Sequence, residues 1–183
     1  MRNPQSKKKK SEAGMSFVET VVALAMLLVV SIGVMNVAAI AVTTTENQGH
    51  LAARTAEYAQ DKMEQLLALT FCDANSDTTV IPTAITGAGK GLAGCAGVST
   101  PQAGGGLNTA GPVAGYVDYL DASGNLVGAG GNWEYIRVWQ ISVPAAPNNN
   151  MKQIDVLTQV RTAVGGSQTP LRSRVTTLKA YPL

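Results

Sequence analysis

From Met15 to Val42 the chain runs for 28 residues with a single ionisable side chain, Glu19. A bilayer core of ~30 Å needs roughly 20 helical residues, so the run is long enough to span a membrane. It exceeds the ~7–15 apolar residues of a secretory signal and lacks a small-x-small cleavage site at its end. Four lysines, Lys7 to Lys10, precede it. By the positive-inside rule they hold the N-terminus in the cytoplasm. Everything beyond about Thr45 is then expected outside the cytoplasm, where disulfides persist.

Charge is distributed unevenly. Residues 1–14 carry a net +4, and without them the formal charge falls from +2 to −2. Residues 15–134 hold three basic and ten acidic side chains, whereas 135–183 hold six basic side chains against Asp155 alone. Such asymmetry bears on partners and assembly, not on fold.

The pattern predicts one long helix from Met15 to about Thr70. Its first part, 15–45, is apolar on all sides. Its second, 46–70, carries the stripe Ala52, Ala56, Ala59, Met63, Leu66 and Thr70, with Arg54, Glu57, Asp61 and Glu64 off it. Residues 71–115 hold ten of the nineteen glycines, with Pro82, Pro101 and Pro112, and read as loop with at most short strands. From 116 to 183 the alternation is that of strands. Tyr116–Leu120 leads to a turn at Asp121–Asn125. Trp133, Tyr135, Trp139, Ile141 and Val143 share one face of the next strand, with Arg137 as the exception. Ile154 to Val160 and Leu171 to Lys179 complete an antiparallel meander with one buried face, covered by the helix stripe. The expected class is α+β.

The junction Gly14-Met15-Ser16-Phe17-Val18-Glu19, ahead of an unbroken apolar helix, resembles the processing motif of type IV pilins and their pseudopilin relatives. The stretch Ala52 to Leu66 is similar to the second half of the first helix in minor pilins and type I-like pseudopilins. The resemblance implies a pilin-like fold. It also implies cleavage after Gly14 by a membrane prepilin peptidase, N-methylation of Met15, and a role for Glu19 in pairing with the amine of a neighbouring subunit during assembly. Met15 stands where the family usually has phenylalanine, and a proline common near position 36 in major pilins is replaced by Asn36. The implied partners are prepilin peptidase, other pilin or pseudopilin subunits and the inner-membrane assembly platform. The implied role is a minor pilin that joins or primes a pilus, with a pseudopilin of type II secretion as the alternative. The physical logic agrees: a buried carboxylate and a buried amine are each costly alone, and pairing removes much of both penalties.

Cys72 and Cys95 are expected to form a disulfide, the alternative being two free buried thiols. Two cysteines without a nearby histidine pair do not make a zinc site. Gly87 to Gly91 lacks the first glycine and final Ser/Thr of a P-loop. Asp121–Asn125 lacks the glycine and glutamate of a calcium loop. His50 has no nucleophile to activate. No cofactor, metal or enzymatic activity is expected. Arg161, Arg172, Arg174 and Lys179 could contact nucleic acid, as in a DNA-uptake pilin. The preferred readings are a solvated sheet face or a surface complementary to the acidic helix region of a neighbouring subunit. A membrane-anchored binding module that never assembles is the remaining alternative, and it would retain its leader.

Overall fold

A computed structural model describes residues 17–86, 91–97, 99–163 and 169–181. The chain divides into two compact units, Met1–Thr43 and Thr44–Leu183.

One helix, α1 (Phe17–Ala68), contributes to both units. In the first unit its apolar side chains are exposed, Phe17 and Met35 by 82% and 73%. Such exposure is stable only in a non-aqueous or protein-packed setting. The segment is long and apolar enough to cross a membrane. Its hydroxyls bond back to the helix: Thr20 to the Phe17 carbonyl at 2.8 Å and Ser31 to that of Leu27 at 2.7 Å. That leaves these hydroxyl donors satisfied without water.

The second unit holds the rest of α1 and, among the described residues, ten strands. Five of the strands are two residues long: β1 (Ser76–Asp77), β2 (Ala84–Ile85), β3 (Cys95–Ala96), β4 (Thr100–Pro101) and β5 (Gly104–Gly105). The remainder are β6 (Val117–Leu120), β7 (Leu126–Val127), β8 (Tyr135–Ser142), β9 (Met151–Val160) and β10 (Arg172–Ala180). The main sheet is antiparallel, ordered β10-β9-β8-β6-β7, with β5 also pairing β8. A simple meander is therefore not what forms. The Asp121 turn folds β7 back on β6 as a short hairpin, and β6 takes the place beside β8. The close approach of β5 requires glycine. Gly105 has φ +75°, and a Cβ there would lie 2.2 Å from the Trp139 carbonyl oxygen.

The helix stripe differs from its expected composition. Thr55, Tyr58, Ala59, Lys62, Met63 and Leu66 are the buried positions, whereas Ala52 and Thr70 are not buried. Ala59, Met63 and Leu66 pack on Trp139, Ile141, Ile154 and Val156, and Tyr58 packs on Leu120, Tyr135 and Val160. Each such large apolar side chain contributes about 1.5–3 kcal/mol when fully buried. The sheet also buries more than one face. Ile136, Val138 and Leu157 form a core on the far side, closed by Leu107, Val117, Tyr119 and Trp133. Trp133 thus leaves the face shared by Tyr135, Trp139 and Ile141.

Candidate functional site

Gly14 and Met15 lie outside the described residues. Glu19 lies in the first turn of α1 and is exposed. A carboxylate there is favoured by the unpaired N–H groups and positive dipole end of the helix. Cys72 and Cys95 form a disulfide. The four basic residues are not one cluster. Lys179 faces the helix and donates to the Leu67 carbonyl at 2.7 Å and to that of Leu69, closing the C-terminal end of α1. Arg172 and Arg174 point to the opposite face, in register with Gln159 and Leu157. Arg174 donates to Asp155 Oδ1 at 2.8 Å. Burial works against the Asp155 carboxylate, yet Thr176, Gln153 and Arg174 together hold it below the ordinary range. Arg161 lies 4.6 Å from the Trp133 ring centroid and donates to the Trp133 carbonyl.

A polar belt crosses the helix-facing side of the sheet, built from residues to which the sequence pattern assigns no role. Register aligns Asp118 on β6, Arg137 on β8, Thr158 on β9 and Ser173 on β10 in a single row. Above this row α1 brings Thr55, Tyr58, Asp61 and Lys62. Asp118 accepts from Arg137 Nε at 2.7 Å and Nη2 at 3.0 Å, and its Oδ2 lies 2.9 Å from Lys62 Nζ. Arg137 Nη1 reaches Asp61 at 2.9 Å and the Tyr58 carbonyl at 3.2 Å. At the other end of the row, Thr55 Oγ1 and Ser173 Oγ are 2.9 Å apart. Apolar rows flank the belt on both sides: Leu120, Tyr135 and Val160 on one, Trp139 and Val156 on the other.

Lys62 is fully buried. Its ammonium sits 4.0 Å from the Trp139 ring centroid and donates to Gln65 and to the Thr78 carbonyl. Burial pushes its pKa down from 10.5 to about 8, against the pull of Asp118. A second buried lysine, Lys152, donates to the carbonyls of Phe71, Leu92 and Gly94, and burial likewise lowers it to about 8.

No protein-family model, no characterised protein and no solved structure matches this chain. The chemistry of the belt must therefore be judged from its geometry. Lys62 and Arg137 are closed to solvent and aligned with carboxylates and carbonyls, an arrangement that fastens the helix to the sheet. Among the described residues no group of three or more His, Cys, Asp or Glu could hold a metal ion. Two signals for the belt were in the sequence: Arg137 breaks the alternation of its strand, and Lys62 falls between Ala59 and Leu66 on the buried stripe.

The lowered lysines make stability depend on pH. Both hold their folded pKa near 8 against an ordinary 10.5. Below about pH 8 folded and unfolded chains carry the same protons there. Between 8 and 10.5 the unfolded chain binds more protons, so stability rises with pH. The expected result is a denaturation midpoint that climbs between pH 8 and 10, with a shallower climb in Lys62→Met. A flat or falling midpoint in the parent chain would contradict these environments.

Proposed function

We propose that this chain is a type IV prepilin-like subunit, of the minor-pilin kind, whose work is assembly. The observation that carries the reading is Glu19, one carboxylate at the start of a membrane-length apolar helix, five residues beyond Gly14. In this reading the chain is a single-pass inner-membrane protein with residues 44–183 on the periplasmic side. Prepilin peptidase cuts after Gly14 and Met15 becomes the methylated N-terminus. Removing residues 1–14 takes away a net +4 and exposes the amine that Glu19 of a neighbouring subunit pairs with. The exposed apolar side chains of α1 then exchange lipid for the helices of other subunits.

Support also comes from the second unit. The Cys72–Cys95 disulfide suits an extracytoplasmic unit. A nucleic-acid role is less well supported, because Lys179 is engaged at the end of α1 and Arg174 with Asp155.

Mass spectrometry of the mature protein tests the reading. The expected N-terminus is N-methylated Met15, and a chain that retains residues 1–14 overturns it. Glu19→Ala is expected to leave cleavage intact and lower incorporation into sheared filaments about tenfold or more, the equivalent of ~1.4 kcal/mol of lost pairing. Normal incorporation of that variant would remove Glu19 from the assembly step.

A further inference from the structure

The second unit sorts its charges by layer. On α1 the cation Lys62 turns inward and is buried, and the half-exposed Arg54 donates to the Tyr58 hydroxyl at 3.0 Å. The anions Glu57, Asp61 and Glu64 turn outward and are exposed. On the far face of the sheet the order is reversed. Asp155 is buried, while Arg161, Arg172 and Arg174 are exposed. The half-buried Glu134 lies just before β8, and the Arg174 side chain keeps 54% of its exposure beside Asp155. Asp61 likewise stays 64% exposed while touching Arg137.

The two surfaces match in number and span. Glu57 to Glu64 is seven helical steps, about 10 Å. Val160 donates to the Leu171 carbonyl, which puts Arg161 opposite position 170. Arg161 to Arg174 therefore spans about 13 Å along the strands. Long arginine side chains take up the difference, and a guanidinium binds a carboxylate with two parallel hydrogen bonds. The surfaces lie on opposite outer sides of one helix-on-sheet layer pair, so they cannot meet within a molecule.

We infer that the acidic face of α1, Glu57, Asp61 and Glu64, docks on the arginine corner of a second copy, Arg161, Arg172 and Arg174. Both surfaces belong to one chain, so the contact is head-to-tail. It leaves one face of each sign free at the ends and permits open-ended growth. The inference rests on the assembly reading for its setting, but its test does not.

The test uses full-length protein in native membranes, carrying Glu64→Cys on one tagged copy and Arg172→Cys on a differently tagged copy. Oxidation is expected to give a mixed-tag disulfide dimer whose yield falls at least tenfold between low and 0.5 M salt. For charge reversal, Arg161→Glu goes on the Arg172→Cys copy and Glu57→Arg on the Glu64→Cys copy, which leaves Asp61 on Arg137 and Arg174 on Asp155. Either reversed copy is expected to lose the product with an unreversed partner, and the two together to regain it. That recovery shows that both variants fold. A yield insensitive to salt, or no recovery in the mixed sample, overturns the inference. The N-terminus of the same sample is read by mass spectrometry. An uncut leader defeats the prepilin reading and leaves the crosslinking result standing.

Discussion

Asp118→Ala is expected to destabilise the second unit by about 3–5 kcal/mol, the usual cost of breaking a buried ion pair from one side. The size follows from what remains. Lys62 and Arg137 are both closed to solvent and both bond Asp118, so its loss leaves two buried cations facing each other without an anion between them. Asp61 cannot take over, because its carboxylate is mostly in water. Denaturant unfolding of the solubilised full-length chain measures the effect. Trp139 fluorescence is the natural signal, since the Lys62 ammonium lies against its ring. Replacing the three charges together, as Lys62→Met, Asp118→Leu and Arg137→Met, is expected to recover most of the loss, because no unpaired charge is then buried. A cost below about 1 kcal/mol for Asp118→Ala would mean that water reaches the belt and shares its charges.

Removing the disulfide with Cys72→Ala and Cys95→Ala is expected to cost about 3 kcal/mol, the chain entropy that closing a loop of this length removes. The bond closes a sequence separation of 23. The loop carries Leu92 into the core but little other large apolar burial, so packing alone has little to order it. Lys152 supplies the rest. Its ammonium gathers the carbonyl before Cys72, at Phe71, and the carbonyl before Cys95, at Gly94. Disulfide and ammonium thus hold the same two chain ends. A double-mutant cycle with Lys152→Met is therefore expected to be non-additive by about 1 kcal/mol, as for groups sharing partners. The readout is the denaturation midpoint of each variant, and additive losses would show that the two act separately.

Much of this architecture was legible in the chain. The apolar run set the helix, Gly- and Pro-rich composition marked the loop, and period-two alternation placed the four longer strands to within two or three residues. Several features were not legible. The expected helix stripe put Ala52, Ala56 and Thr70 inward and missed Thr55, Tyr58 and Lys62, because a lysine and a threonine score as polar until a partner is known to wait for them. That partner, Asp118, is 56 positions away on a strand whose neighbour cannot be read locally. The far-side core escaped for a similar reason: Leu107 comes from the loop, and nothing near it announces that it packs against the cluster of Ile136, Val138 and Leu157. Arg172, Arg174 and Lys179 looked like one cluster along the chain, but the strand's two-residue period sends Lys179 to the other face.

The belt also determines how the unit carries force. A pull along α1 reaches the sheet through Thr55–Ser173, Arg137–Asp61, Lys62–Asp118 and Lys179 with the last helix carbonyls. These contacts are spread along the helix from its Thr55 turn to its end, and each links helix to sheet. A pull on the helix is thus shared among several contacts and does not fall on one. A fibre built from such units would resist stretching in its protein joints as a lap joint does, by the number of fasteners and not by the strength of the weakest.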